Sequence, residues 1–423
     1  MTQLPTLADT IPPPDWMTAD PARRLLAALG AGGAPVRFVG GCVRDAILGL
    51  QPHDVDVATP EKPEQVIRRL EKAKLKAVPT GLEHGTVTAV VPPVSYQVTT
   101  LRRDVSTDGR HATVAFGTDW AEDAARRDFT INALYSDGEG RLYDYTGGRA
   151  DLAAGIVRFI GDPAQRVAED YLRVLRFFRF HARFGRGAPD AAALAACADA
   201  AGRLDRLSGE RIRDELLKIL ILPNAADALT LMQQCGVLAA ILPEARFDAD
   251  ALARLVGLQA SVAAAGAADP DVWPRLALLL ESNTDGDAIA DRLRLSNAQR
   301  LRLQGILSLP PFDPAILEDD AAFRMALYRL GAERCRDGLL LAASRQRIAD
   351  ALAIDHAVAA AGWRRPVFPL RGADIIAAGF SPGPTVSALL NELETWWADA
   401  GFMPDRDACL KRLRERVQTS GGG

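Results

Sequence analysis

The sequence is poor in the residues that build disulfide frameworks and histidine- or cysteine-based metal centres. Its 423 residues include five cysteines and five histidines. The cysteines are scattered and form no CxxC pair, which indicates the reduced thiols of a cytoplasmic protein rather than a disulfide scaffold. His181 and His356 lack the partner spacing of a metal centre, so the pattern does not predict a phosphohydrolase domain.

Long apolar runs and a strong net charge are missing as well. No apolar run reaches the roughly 18 residues of a membrane span, and the proline-rich, acidic stretch Met1 to Trp16 has no signal-peptide pattern. We therefore expect a cytoplasmic protein with no membrane partner. The formal net charge is −4, so any nucleic-acid binding must come from local basic patches. The hydrophobic fraction of 48% supplies ample material for the cores of two or three domains.

The character of the sequence changes near residue 151. From Val36 to about Gly148, short β-rich runs surround a predicted helix that begins at Pro63. The predicted strands are Val36 to Val39, Asp54 to Ala58, Thr86 to Val91, Tyr96 to Thr100 and a last one from Leu142. After Asp151, apolar residues recur at three- and four-residue spacing, which is typical of packed helices. The pattern predicts an α/β head (a mixed sheet with flanking helices) followed by a long all-α remainder.

A glycine turn and two aspartates are the most informative features of the head. Gly40 and Gly41 precede a predicted helix start, where backbone N–H groups favour an anion and Arg44 would reach a triphosphate. An ordinary strand–helix turn is the alternative. Asp54 and Asp56 alternate with valine, so a strand would project both carboxylates from one face. Paired carboxylates suit Mg²⁺, which also keeps water and substrate phosphate as ligands.

Two arginines later in the head extend this predicted cleft. Arg126 and Arg127 stand beside Asp128 and precede an alternating apolar run, FTINALY. In that position they would place cations at the rim of the same cleft, where a phosphate would bind. A solvated charge cluster that leads into a helix is the alternative.

The segment EDYLRVLRFFRF, at 169–180, is predicted to form a single helix. On it Asp170, Arg173, Arg176 and Arg179 form one stripe, because residues three apart lie near each other. An Asp and Arg pair offers acceptors and donors to the edge of a base, while further arginines meet phosphate. A surface stripe of weak ion pairs is the alternative. Arginine rather than lysine at all three positions favours planar recognition.

Taken in order, five motifs resemble those of the class II tRNA nucleotidyltransferases and bacterial poly(A) polymerases. They are GGCVRD, DVDVAT, RRDFTINALY, DYTGGRADL and RxxEDYLRVLRFFRF. The resemblance implies a catalytic nucleotidyltransferase head, a neck that selects the base, a helical body and a tail that binds tRNA. We place these parts at 36–150, 151–220, 221–350 and 351–423, after an N-terminal extension and helix at 1–35.

For function, the resemblance favours template-independent addition of CCA to the 3′ end of tRNA. The substrates would be CTP and ATP, with pyrophosphate released, and no obligate protein partner is evident. A poly(A) polymerase of the same family is the alternative. The acidic chain and the lack of a long basic C-terminal extension favour CCA addition.

The resemblance also assigns roles to residues of the motifs. It implies a catalytic carboxylate pair that holds Mg²⁺, with two ions expected: Asp54 and Asp56. It implies contacts to the nucleotide from seven residues: Gly41, Arg44, Arg127, Asp170, Arg173, Arg176 and Arg179. The first three would contact the triphosphate, the next two would read the base, and the last two would support the nucleotide.

One residue departs from the family pattern. Gln97 stands where the family usually carries a glutamate, commonly regarded as the third acid near the metals. Glutamine keeps an acceptor oxygen but loses the charge. Either two aspartates suffice, a neighbouring acid such as Asp104 or Asp128 helps, or the chain is an impaired homologue that binds tRNA. The family also implies a mobile loop, Arg102 to His111, that helps the switch from CTP to ATP.

Overall fold

The computed structural model describes residues 9–107, 112–280 and 284–420. They form two compact units, and the boundary in the chain falls between Ala245 and Arg246. Among these residues, no helix has both the length and the apolar character that a membrane crossing requires. Residues 108–111 of the loop predicted to be mobile, and the side chain of Asp104, lie outside the described part. The five-part division of the chain stays a prediction.

The strands of the first unit are β1 (Arg37–Val39), β2 (Asp56–Thr59), β3 (Lys76–Gly81), β4 (Thr86–Val91), β5 (Val94–Thr100), β6 (Arg102–Thr107), β7 (Ala112–Phe116), β8 (Leu134–Ser136) and β9 (Leu142–Asp144). In the described residues, seven of them form a mixed sheet in the order β3-β4-β5-β2-β1-β8-β9. β2 and β5 are parallel, and the other neighbours are antiparallel. β6 and β7 form a separate antiparallel pair.

The α-helices of the first unit are α1 (Asp15–Thr18), α2 (Asp20–Gly30), α3 (Gly41–Ile47), α4 (Pro63–Lys72), α5 (Trp120–Ala125), α6 (Gly148–Ala154), α7 (Pro163–Glu169), α8 (Leu172–Phe184), α9 (Ala191–Ala200), α10 (Gly209–Leu220), α11 (Ala225–Gln234) and α12 (Val237–Ile241). Short 3₁₀ turns cover Leu82–His84, Thr130–Asn132 and Ala201–Arg206. Proline stands in the first turn of α2, α4 and α7, where its missing N–H and fixed φ cost the helix nothing.

A buried hydrophobic cluster packs the middle of the sheet against α5. It contains Val39 from β1, Ala58 from β2, Trp120 and Ala124 from α5, and Tyr135 from β8. The Trp120 and Tyr135 rings meet edge to face, with their centroids 5.3 Å apart, an arrangement that adds to the burial of apolar surface. This packing fixes the end of α5, and therefore the chain that follows it, close to β1 and β2.

The described residues of the second unit are built from helices, together with one 3₁₀ turn at Pro314–Leu317. The helices are α13 (Ala249–Ala264), α14 (Val272–Leu278), α15 (Gly286–Arg292), α16 (Asn297–Leu307), α17 (Asp320–Leu330), α18 (Ala332–Ser344), α19 (Asp350–Gly362), α20 (Gly372–Ala377), α21 (Pro384–Asp399) and α22 (Arg406–Ser420). One of its cores gathers Tyr328, Leu393 and Trp397. The predicted mixed-sheet head and helical remainder are confirmed.

The strands differ from the prediction in two ways. β2 begins at Asp56 rather than at Asp54, because Asp56 is the first residue paired both with Val39 and with Gln97, while His53 and Asp54 form a bend. The strands β3, β6, β7 and β8 are not among those predicted. β3 carries lysine, proline and glycine, β6 is rich in charge, and β8 has three residues, so these three segments show no clear strand pattern.

Candidate active site

The turn between β1 and α3 depends on Gly40. Its backbone has φ 79° and ψ −129°, a conformation that favours glycine. The Gly40 N–H donates to the Leu134 carbonyl at 2.9 Å, and its own carbonyl accepts the first helical hydrogen bond from the Arg44 N–H at 3.1 Å. A Cβ added to Gly40 would lie 3.5 Å from Nη1 of Arg127. The turn and Arg127 are therefore immediate neighbours, as the predicted cleft requires.

The two aspartates stand at the start of β2. Asp54 is exposed in the bend, and Asp56 is half-buried as the first strand residue. Among the residues that the structure describes, neither carboxylate has a hydrogen bond or an ion pair. Burial raises the pKa of Asp56, the Arg127 charge lowers it, and Asp54 raises it again, with a net upward shift. Arg127 and Asp54 thus both act electrostatically on Asp56, although Asp54 is not part of the strand.

Gln97 lies directly beside Asp56. The two residues are partners in the parallel β2–β5 pair, and Gln97 is exposed between the buried Tyr96 and Val98. Because paired residues of neighbouring strands point to the same face, the neutral amide stands where a third carboxylate would adjoin the pair. Within the described ranges, no group of three or more His, Cys, Asp or Glu side chains is arranged to hold a metal ion.

Arg127 is held by a buried carboxylate that the sequence motifs did not single out. Asp123 accepts from Arg127 Nη2 at 3.0 Å, from Arg126 Nη2 at 2.6 Å and from the Tyr135 hydroxyl at 2.7 Å. Burial would lower the pKa of Arg127, but Tyr135 and Asp123 outweigh it, and the pKa lies above its ordinary value. Arg127 is a fixed cation. Asp123 precedes the two arginines by three and four residues, a helical spacing that could have revealed it.

Arg44 occupies a buried position. Its Nε donates to Asp45 at 2.9 Å and its Nη1 donates to Asn132 at 2.5 Å. Its guanidinium also lies 4.1 Å from the centroid of the Phe184 ring, a cation–π contact. Burial lowers the pKa of Arg44, while the charge of Asp45 opposes that shift. These contacts tie α3 to α8, and the predicted contact of Arg44 with a triphosphate stays a prediction.

The predicted single helix at 169–180 is broken at Asp170. α7 ends at Glu169, α8 begins at Leu172, and Asp170 between them has extended backbone (φ −157°, ψ 107°). The Asp170 carboxylate accepts from the Leu172 N–H at 3.1 Å, a local hydrogen bond that competes with helix continuation. The prediction that Asp170 continues the arginine stripe on one helix was therefore wrong. Asp170 instead stands at the junction of two helices.

Both predicted base-reading side chains have charged partners. The second oxygen of Asp170 accepts from Arg211 Nη2 of α10 at 2.7 Å. Arg173 donates through Nη1 to Glu169 at 2.5 Å and to the Arg166 carbonyl at 2.7 Å. Arg211 gave no local signal, because its contact with Asp170 arises from the tertiary fold. Glu169 stands four residues before Arg173, so helical spacing would have suggested that pair.

The two remaining arginines of the predicted stripe form ion pairs, one with a half-buried acid and one with a buried acid. Arg176 donates to Asp128 at 2.5 and 2.8 Å, and Arg179 donates to Glu215 of α10 at 2.6 Å. Burial would raise the pKa of Asp128, but the Arg176 guanidinium outweighs it and holds the pKa below its usual range. Asp128 is therefore committed to Arg176. The alternative interpretation was a surface stripe of weak ion pairs. The ion pairs are present, but they are partly buried and join separate elements.

The apolar side of α8 explains its position. Leu175, Phe177 and Phe178 are buried as predicted, while Leu172 is half-buried. Phe177 and Phe180 pack against Phe129, with ring centroids 6.5 and 5.3 Å away. The apolar run that begins at Phe129 thus anchors α8 next to residues 126–128. The segment 126–128 contacts the head site on one side and α7 and α8 on the other.

Comparison with known proteins places this arrangement in a family. The family model described as the poly A polymerase head domain matches residues 36–158, and that of the probable RNA and SrmB-binding site of polymerase A matches 189–248. Mouse CCA tRNA nucleotidyltransferase 1, mitochondrial, is 34% identical over 388 residues, with 90% of this chain and 86% of the mouse chain covered. The chain belongs to the CCA tRNA nucleotidyltransferase family. The predicted resemblance and the predicted enzyme class, a nucleotidyltransferase, are confirmed.

Bacterial members of the CCA tRNA nucleotidyltransferase family are similar over an equally long range. The CCA-adding enzyme of Streptococcus gordonii is 32% identical over 404 residues, which cover 93% of this chain and 96% of that one. The Bacillus stearothermophilus CCA-adding enzyme, solved in complex with CTP, superposes with a TM-score of 0.75 at 26% identity and covers 95% of this chain. A Thermotoga maritima CCA-adding enzyme complexed with tRNA, at 22% identity and a TM-score of 0.67, supports the fold.

Proposed function

We propose that this chain adds CCA to the 3′ end of tRNA without a nucleic-acid template, using CTP and ATP and releasing pyrophosphate. The observation that carries the proposal is the position of Arg127, which adjoins Gly40 and acts electrostatically on Asp56. Its neighbour Asp128 binds Arg176 of α8. The carboxylate pair proposed to hold metal and the helix proposed to serve base selection are thereby joined by two consecutive residues, Arg127 and Asp128. Similarity to CCA-adding relatives over about nine-tenths of the chain supports the reaction.

The residues of the head fit a divalent cation of the Mg²⁺ type. The Asp54 and Asp56 carboxylates are hard oxygen donors without a competing partner among the described residues, and Asp56 is partly shielded from water. Mg²⁺ typically takes one or two carboxylates and completes its shell with water and substrate phosphate. When bound, such ions supply Lewis-acid stabilisation of the attacking and leaving oxygens. We propose Mg²⁺, with two ions, as the form used.

The reaction needs positioning more than a protein nucleophile. The tRNA 3′ hydroxyl attacks the α-phosphate in line, and Asp56 is the proposed acceptor of its proton. Arg127, held rigid by Asp123, and the Gly41 N–H bind the triphosphate and stabilise its charge. Arg44 supports the same turn by donating a hydrogen bond to Asn132.

Base selection is assigned to the junction of α7 and α8. Asp170 offers acceptor oxygens and Arg173 offers donors, a combination suited to the amino group and ring nitrogen that cytosine and adenine share. Arg211 and Glu169 hold these two side chains in place. Arg176 and Arg179 support the nucleotide indirectly, by fixing α8 against Asp128 and Glu215.

The test is incubation of purified protein with tRNA that lacks CCA and with all four NTPs. We expect two CMP residues and one AMP to be added, after which extension stops. Unlimited addition of AMP would show a poly(A) polymerase instead. Binding of tRNA without incorporation, even with Mn²⁺, would show an impaired homologue. The cytoplasmic location is part of the proposal and is supported by five unpaired thiols.

A further inference from the structure

Arg166 of α7 belongs to the RxxED motif, and its side chain has no role in the site as described so far. Its Nη2 donates to the Ala125 carbonyl at 3.0 Å and also to the Arg127 carbonyl. Ala125 is the last residue of α5, where helical carbonyls have no partner within the helix. A guanidinium at this point caps the C-terminus of α5 by donating to such a carbonyl. Arg166 therefore fixes the backbone from which the Arg127 side chain extends.

The other side of the same guanidinium faces the base-reading junction. Arg166 Nη1 donates to Glu169 Oε2 at 2.7 Å, and Arg173 Nη1 donates to that same oxygen at 2.5 Å. Arg173 Nη1 also donates to the Arg166 carbonyl at 2.7 Å. The three side chains are 11%, 21% and 13% exposed. Because they are mostly shielded from water, these charge-assisted bonds hold one geometry rather than fluctuating at the surface.

We propose that Arg166 is a positioning residue that couples base selection at Arg173 to triphosphate placement at Arg127. One planar group reaches backbone carbonyls on the phosphate side and Glu169 on the base side, so neither side shifts without the other. Lysine would not serve, because its single ammonium lacks the rigid fork that meets both sets of acceptors. The inference rests on the proposed function, since it assumes that these two arginines contact the nucleotide.

The experiment compares Arg166→Met and Arg166→Lys with wild type and with Gln165→Ala. Gln165 is a matched control, because it is exposed and its Nε2 lies 3.5 Å from the other oxygen of Glu169. Among the described residues, Gln165 makes no hydrogen bond to the Arg127 backbone. Equilibrium binding of CTP, ATP, UTP and GTP is measured without RNA, and incorporation is measured on tRNA lacking CCA. Thermal melting shows whether each variant is folded.

For Arg166→Met we expect Kd and KM for CTP and ATP to rise about tenfold, and discrimination against UTP and GTP to fall by a similar factor. Arg166→Lys should recover little of either quantity, and Gln165→Ala should match wild type. A double variant with Arg173→Lys should be no worse than the poorer single variant, since both changes break one coupled unit.

Some results would overturn the coupling. Unchanged discrimination in a folded Arg166→Met protein would do so, as would additive effects in the double variant or full rescue by lysine. If Arg166→Met does not fold, the same criteria apply to Arg166→Lys, which keeps the charge. Failure of wild type to incorporate nucleotide would count against the proposed function alone, because the binding measurements read the coupling without catalysis.

Discussion

An acid placed at position 97 tests the proposed metal site of the head. Gln97 is the partner of Asp56 in the parallel β2–β5 pair, and its side chain is exposed. Neighbouring strands lie about 4.8 Å apart and present paired side chains on one face. The substitution Gln97→Glu therefore places a charge about 5 Å from the ion that Asp56 is proposed to hold.

The size of the effect follows from Coulomb's law. Because position 97 is exposed, a water-like dielectric is appropriate, and one negative charge about 5 Å from a divalent cation then contributes about 1.7 kcal/mol. Salt screening reduces this value towards the 1.4 kcal/mol that corresponds to tenfold. We expect the Mg²⁺ concentration for half-maximal incorporation to fall about tenfold. Without metal, the added charge repels Asp56 by about 0.8 kcal/mol, so the metal-free protein should melt at a slightly lower temperature.

The assay is incorporation of CMP and AMP into tRNA lacking CCA across a Mg²⁺ titration. Ser95→Glu is the matched control, because Ser95 is exposed on the same face of β5. It adds the same charge about 7 Å farther along the strand. An unchanged Mg²⁺ requirement in Gln97→Glu, or an equal shift in both variants, would refute the idea that an acid at position 97 acts on the bound ion.

Three further perturbations test other parts of the molecule. Asp128→Asn leaves Arg176 without its charged partner and should lower the free energy of unfolding by about 2 kcal/mol, whereas an unchanged urea midpoint would contradict this. Arg211→Gln should weaken CTP binding roughly fivefold by releasing Asp170, with Arg211→Lys intermediate in the same titration. Burial raises the pKa of Asp337 from 3.8 to about 6, so the folded chain binds that proton more tightly. The contribution of this proton to the free energy of unfolding is full below pH 4 and is lost as pH rises through 6, a difference of about 3 kcal/mol. Urea denaturation at pH 4 and pH 7 should show this difference in the free energy of unfolding for wild type and not for Asp337→Asn.

Local pattern was enough to predict the head, its glycine turn and the strand that carries Asp56. Alternation around Asp56 and the glycine turn before Gly41 depend on neighbours in sequence, and both were found in the expected elements. The strand boundary at Asp54 was missed because it depends on pairing with β1 and β5, which no local pattern encodes. Helix ends and strand ends are set by such tertiary partners as much as by propensity.

The helix at 169–180 shows where periodicity misleads. Arginines at every third position indicate a continuous helix, yet Asp170 uses its carboxylate to bind the Leu172 N–H and interrupts it. Aspartate is a common helix-capping residue, so a break was available as an interpretation. The partners Arg211 and Glu215 were out of reach, since about forty residues separate them from Asp170 and Arg179.

The helix junction limits how base preference can be re-engineered. The carboxylate proposed to read the base also stabilises the N-terminus of α8 by accepting a hydrogen bond from the Leu172 N–H. A library of variants at position 170 is therefore selected both for base recognition and for the hydrogen bond to the Leu172 N–H. Most side chains that could recognise a different base lack an acceptor close enough to make that hydrogen bond. Asn, Ser and Thr retain that acceptor, whereas long or apolar residues would loosen the first turn of α8. Changes of nucleotide preference should consequently concentrate in short polar residues at 170 and at positions that contact it.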